Sequence, residues 1–279
     1  MIFLVLAVLS SSLISVSMRA FEGRCRHTMG MFVVNYLICM VLACLFAGRI
    51  AFYSPQQGFH LALLLGCMAG VLFLVCFVLL QLNIQKNGVA MASTFMKLGV
   101  VISTLIAIVV FRESPGLNQG IGIILAILAI LLIHTDSKET KKTSWGWLLP
   151  VLLICGGITD SMANVFDKVG DPAVKDYYLF YTFGAAFVCA LFMMFIRHEK
   201  IGKWEFISGV LVGIPNYFST RFLLLSLGKV PAVIVYPAVS AGTIILVSLA
   251  GALLFRESLS RRKLTALFII CIALVLLNI

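Results

Sequence analysis

Three ionisable side chains stand inside long apolar stretches of this chain: Lys97, Asp160 and Arg221. A charge at the centre of a membrane-spanning helix costs about 2.5–3.5 kcal/mol on insertion scales, so such a side chain turns towards a cavity or a partner. Lys97 falls about ten residues into the apolar run 88–111, or ~15 Å along a helix rising ~1.5 Å per residue. Ser93 at i−4 and Thr104 at i+7 share its face, a polar stripe on an otherwise apolar helix. This pattern predicts a cavity-lining lysine, with a structural ion pair as the competing role. Asp160 has Asn164 at i+4 and Asp167 at i+7, and Gly156 at i−4 leaves room beside it. A carboxylate there can couple to a proton, hold a solute amine, or neutralise Lys97 or Arg221.

Arg221 carries Tyr217 one turn before it, and Pro215-Asn216-Tyr217 is the most locally irregular polar stretch of the chain. The planar guanidinium fork suits carboxylate or phosphate, and an internal ion pair is again the alternative. Tyr236, Ser240 and Thr243 make a polar face in the run 232–255. Asn35, Tyr36 and Tyr181 are further candidates, although aromatics near helix ends often serve as interfacial anchors. The candidate substrate-binding set is therefore Lys97, Arg221, Asp160, Asn164, Tyr217, Asn216, Ser93, Tyr236 and Ser240. Two positive charges and one negative sum to +1, which predicts a small anionic or zwitterionic solute.

The elements that hold these residues follow from composition. Of the 279 residues, 62% are hydrophobic and only 11% charged, where a soluble domain carries about a quarter. Apolar runs cover residues 1–18, 30–50, 59–82, 88–111, 119–134, 147–168, 177–197, 204–227, 232–255 and 264–279. Each approaches the ~20 residues a spanning helix needs, so the expected fold is an all-α membrane protein of ten transmembrane helices. The first run lacks a basic leading segment and reads as a membrane helix, not a signal peptide.

The net charge of +10 does not indicate nucleic acid, because Lys and Arg cluster between apolar runs as topology and headgroup signals do. Seven of the eight Cys lie inside apolar runs without CxxC spacing and read as packing residues. His27, His60, His134 and His198 fall near segment ends. Neither a metal nor a cofactor is expected.

An internal repeat organises the chain. A shift of 144 residues places Phe111-Arg112-Glu113-Ser114 on Phe255-Arg256-Glu257-Ser258, Ser17-Met18 on Ser161-Met162 and Ile14 on Ile158. A shift of 143 aligns Gly66 and Gly70 with Gly209 and Gly213, pairs that permit close helix contact in lipid. The Phe-Arg-Glu-Ser copies sit where helices meet headgroups and predict helix closure and loop hydrogen bonding. The expected organisation is a first five-helix repeat over 1–137, a charged linker over 138–144 and a second repeat over 145–279, forming one structural unit. Five is odd, so the repeats are inverted, an architecture of secondary carriers with a midplane site. Fourteen Lys and Arg fall in alternate loops, against five in the remaining ones. The positive-inside rule then predicts an inner-membrane protein with both termini extracytoplasmic.

Ten helices in two fives, each half closing on a long helix, Phe-Arg-Glu-Ser and a short helix, resemble the drug/metabolite transporter superfamily, most of all its bacterial EamA-like branch. The resemblance implies a central cavity lined by non-terminal helices, alternating access, and short fifth and tenth helices used for packing. Lys97 departs from the commoner pattern and is more similar to phosphate- and nucleotide-sugar-exchanging members than to cationic drug exporters. The function expected is secondary transport of a small polar metabolite by a monomer or homodimer in contact with membrane lipid, coupled to protons or to a counter-substrate. The alternative within the class is an exporter of amino acids or amphipathic compounds. A membrane-embedded lipid-modifying enzyme is the alternative outside it, but it would need converging acid, base or metal groups that the scattered His do not supply.

Overall fold

In lipid every backbone amide must find its partner within the protein, which leaves helices as the natural form of apolar runs this long. The structure, a computed structural model, describes residues 2–21, 23–47, 58–87, 89–134, 147–254 and 261–277. The side chains of Ser93 and Lys97 lie outside the described ones, as do the linker 138–144 and the second Phe-Arg-Glu-Ser. Among the described residues there are ten α-helices: α1 (Ile2–Ala20), α2 (Thr28–Ala47), α3 (Phe59–Asn87), α4 (Val89–Val109), α5 (Leu117–His134), α6 (Leu148–Val169), α7 (Lys175–Ile196), α8 (Lys203–Leu227), α9 (Ala232–Leu254) and α10 (Arg261–Leu277). A short 3-10 turn, Pro172–Val174, leads into α7. No strand occurs among these residues.

Seven helices are long and apolar enough to cross a membrane: α1, α2, α3, α6, α7, α8 and α9. The other three carry shorter apolar stretches among the described residues, Leu98–Val109 in α4, Leu117–Ala129 in α5 and Leu264–Leu277 in α10. Ten spans are expected from the sequence, the fifth and tenth the shortest, and α5 and α10 are among the three with shorter apolar stretches. Large apolar side chains also face outwards, with Leu117 89%, Leu253 79% and Phe268 68% exposed. A surface of that kind suits acyl chains rather than water.

The helices gather into two compact units. In one, residues 75–164 and 226–279 bring the end of α3, α4, α5 and most of α6 together with α9 and α10. In the other, residues 2–74 and 165–225 bring α1, α2 and the start of α3 together with the end of α6, α7 and α8. Each unit draws on both sequence halves. The leading contacts join α5 with α10 and α4 with α9 in the first unit, and α2 with α7 in the second. Each of these pairs a helix with the one five places further along.

The repeated glycines decide the closest approaches in the second unit. A Cβ on Gly209 would sit 2.6 Å from Val34 Cβ, and one on Gly213 would sit 2.8 Å from the Asn35 carbonyl, so α8 rests directly on α2. A Cβ on Gly66 would lie 2.8 Å from the Tyr178 carbonyl, so α3 rests on α7 in the same manner. Exchanging the sequence halves converts one contact into the other.

Helix starts are completed by carboxylates from distant segments. The α2 amide of Met29 donates to Glu199 Oε2 at 2.7 Å, while the Arg26 and His27 amides just before it donate to Glu205 Oε1 at 2.8 and 3.2 Å. The α9 amide of Val233 donates to Glu113 Oε2 at 2.9 Å. A carboxylate in that position satisfies an orphan donor and meets the positive end of the helix dipole. Glu113 and Glu199 each follow a residue in the left-handed region, Arg112 at φ 53° and His198 at φ 51°. That conformation ends one helix sharply and swings the next side chain onto another.

Candidate functional site

In the first unit, α4 and α6 cross where both carry glycine. A Cβ on Gly99 would lie 3.0 Å from the Gly157 amide nitrogen, and one on Gly157 would lie 2.6 Å from the Gly99 carbonyl. Only glycine lets the two backbones approach so closely. The crossing falls two residues after Lys97 and three before Asp160, so two of the predicted charged positions lie on adjoining turns of touching helices. Asp160 is exposed, and its backbone carbonyl accepts from Tyr236 Oη at 2.7 Å, which ties α9 to the same level of α6.

Asn164 lies one turn further along α6 and is only 1% exposed. Among the described residues neither its amide oxygen nor its amide nitrogen has a hydrogen-bond partner. The Thr243 hydroxyl on α9 is in the same condition. A buried polar group left without a partner costs about 1–3 kcal/mol, so groups of this kind mark positions retained for some other reason. Thr104 differs. Its hydroxyl donates to the Val100 carbonyl at 2.8 Å, so the polar stripe proposed for α4 closes on its own backbone there. Ser240 is half-buried on α9. Ser93 shares α4 with Lys97, and both side chains are outside the described ones.

The remaining predicted residues belong to the second unit. Arg221 on α8 forms an ion pair with Asp176 in the first turn of α7, Nη1 to Oδ1 at 2.6 Å, and donates to Tyr217 Oη at 2.5 Å. Its guanidinium carbon lies 4.8 Å over the Phe46 ring, which itself stacks on Tyr217 at 5.7 Å. Phe218 and Phe222 continue the aromatic cluster along α8, and Phe3 joins it from α1. Tyr217 is fully buried, while the pair itself remains partly open, at 21% exposure for Arg221 and 33% for Asp176. On the neighbouring face of α8, Asn216 donates to Asn35 Oδ1 at 3.2 Å, and Ser219 shares a 2.6 Å hydrogen bond with Ser11 of α1.

Asp176, Ser11, Ser219 and Phe46 are not among the residues that the sequence pattern singles out. Asp176 precedes an apolar run and looks like a loop residue, although an acidic residue in a first turn is itself a signal of helix entry. Ser11 lies within Ser10-Ser11-Ser12 and Ser219 beside Thr220, and hydroxyls in apolar helices commonly bond their own backbone, so neither position stands out by pattern. Glu113 had been read as part of a helix closure and does more, because it reaches the start of α9. Among the described residues no three His, Cys, Asp or Glu side chains gather in one place.

Residues 1–135 match a family described as the EamA-like transporter family. An uncharacterized protein of Haemophilus influenzae is 26% identical over 203 residues, covering 69% of this chain and 67% of that protein. A solved structure described simply as the crystal structure of a protein superposes with a TM-score of 0.76, covering 99% of this chain and 94% of that one at 11% identity. At that identity the likeness concerns the fold alone.

The Arg221–Asp176 pair gives a direct test of the second unit's geometry. In a double-mutant cycle of Arg221→Met and Asp176→Asn, thermal unfolding should report a coupling of about 1 kcal/mol, the scale of a partly exposed pair. A coupling indistinguishable from zero would mean that Arg221 is held by something other than Asp176.

Proposed function

We propose, from the match of residues 1–135 to the EamA-like transporter family, that this multi-pass membrane protein is a transporter of the drug/metabolite superfamily that carries a small zwitterionic or anionic metabolite by alternating access. The observation that bears most on the solute is the α4–α6 crossing at Gly99 and Gly157, flanked by Lys97 and Asp160. A cationic and an anionic position on adjoining turns match a solute bearing both carboxylate and ammonium. Asp176 strengthens that choice. With it included, Lys97 and Arg221 balance Asp160 and Asp176, so a net anion is no longer needed for neutrality. In this reading Lys97 receives the solute carboxylate, Asp160 the ammonium or a coupling proton, and Asn164, Tyr236, Ser240 and Ser93 supply polar contacts. Asn164 suits the role because its amide is buried with its hydrogen-bonding capacity unspent among the described residues.

The inverted-repeat reading draws support from contacts within each unit. The pairs α2 with α7, α4 with α9 and α5 with α10 are those a two-fold axis relating the halves would produce, and the reciprocal glycine contacts agree with it. We place both termini outside the cytoplasm of an inner-membrane protein on the fourteen-to-five division of Lys and Arg. A C-terminal reporter active only in the cytoplasm should therefore stay dark, and a bright signal would reverse the orientation. A second reading, an exporter of amphipathic compounds, is favoured by the aromatic cluster of Phe46, Tyr217, Phe218 and Phe222. In that case Arg221 and Asp176 form a structural pair, with aromatic faces binding the solute.

Thermal stabilisation by solutes distinguishes these readings, since a ligand at 100 times its Kd adds about 2.7 kcal/mol to the folded state. Purified protein would be screened against amino acids, carboxylates, organic phosphates and quaternary amines. The proposal expects amino acids to raise Tm, with Lys97→Met and Asp160→Asn each removing the shift and leaving the ligand-free Tm nearly unchanged. Stabilisation by hydrophobic amines that survives both substitutions would move the assignment to the aromatic exporter.

A further inference from the structure

The cysteines read as packing residues in the sequence, but the structure gathers two of them with a methionine. Cys76 on α3, Met96 on α4 and Cys155 on α6 meet within the first unit. The Cys76 thiol donates to Met96 Sδ at 3.6 Å. Cys155 packs beside Cys76, thiol next to thiol. Gly156 closes the group, since a Cβ there would sit 3.7 Å from both Cys76 Sγ and Met96 Sδ. Cys76 is 3% exposed, whereas Met96 and Cys155 are half-buried. Leu79, Leu80 and Leu152 form an apolar wall around it. Cys76 thus touches a sulfur from each of two other helices, Met96 on α4 and Cys155 on α6, with the Thr159 hydroxyl beside both thiols.

We propose that Cys76, Cys155 and Met96 bind one soft monovalent metal ion of the Cu(I) and Ag(I) class. Thiolate and thioether ligands select such ions, while Mg, Ca and Mn prefer oxygen. Structural zinc takes four ligands from thiolate, imidazole and carboxylate, a set that a thioether does not supply. The dimensions fit. Metal–sulfur bonds of about 2.3 Å in a trigonal arrangement hold sulfurs about 4 Å apart, so a 3.6 Å sulfur–sulfur contact needs only a small spreading. The step is ligand binding without redox change: the ion enters as M⁺, the two thiols release their protons to solvent, and the resulting site carries one net negative charge. An ion held there staples α3, α4 and α6 together. The proposal stands apart from the solute reading, and either can fail alone.

The purified full chain, kept reduced with ascorbate, would be titrated with Cu(I) delivered from a chromophoric chelator. Replacing both thiols, Cys76→Ser with Cys155→Ser, should remove one equivalent of bound Cu(I). Met96→Leu should weaken that equivalent by at least the ~10-fold that changes in outer ligand support cost. Wild-type stoichiometry and affinity in the double serine variant would overturn the site, because binding would then belong to other cysteines. X-ray absorption on the unmodified chain loaded with one equivalent avoids any question of variant folding. Three sulfur neighbours at ~2.3 Å are expected, and a spectrum showing nitrogen or oxygen ligands, or two sulfurs only, would overturn the assignment.

Discussion

A backbone amide within a bilayer has no water to turn to, and this constraint shapes the whole molecule. It makes the apolar runs helical, and it shifts the problem to helix ends, where the first amides have no intrahelical partner. Here those amides are met by carboxylates from remote segments: Glu113 at the start of α9, and Glu199 with Glu205 around the start of α2. The left-handed turns at Arg112 and His198 aim two of these carboxylates. A helix end therefore does two tasks, closing its own helix and starting another. Caps of this type also hold elements far apart in sequence in fixed register.

The same scarcity of solvation governs the side chains. Arg221 is surrounded by Asp176, the Tyr217 hydroxyl and the Phe46 ring, so charge, hydrogen bond and ring face all answer one guanidinium. On the 144-residue shift Lys97 corresponds to Ala241, Asp160 to Val16 and Arg221 to Phe77. The self-match of the sequence keeps Phe-Arg-Glu-Ser and the glycine pairs but not these charges. The aromatic cluster belongs to the second unit, and the glycine crossing beside Lys97 and Asp160 belongs to the first.

Much of this was legible in the sequence because lipid leaves few options. Hydropathy marked the helices to within a few residues, and the small-residue pairs Gly66/Gly70 and Gly209/Gly213 marked close contacts before any partner helix was known. The partners themselves were not legible. Asp176 lies 45 residues from Arg221, and Glu113 lies 120 from Val233, and no local period records such pairings. Among the described residues ten helices are present where ten were expected, seven of them long and apolar enough to cross a membrane. Motif spacing looks along one helix, so the contact of Cys76 with Met96 across two helices was not legible either.

The proposed central step is exchange of a zwitterionic solute through a site that opens to one side at a time. Counterflow in proteoliposomes tests it directly. Vesicles containing purified protein would be preloaded with an unlabelled amino acid found to raise Tm and then diluted into a trace of the same compound carrying a radiolabel. The account predicts transient accumulation of label above equilibrium, absent without preload and absent in Lys97→Met. Uptake that rises only to equilibrium and ignores the preload would contradict it, because that is the behaviour of an open pore.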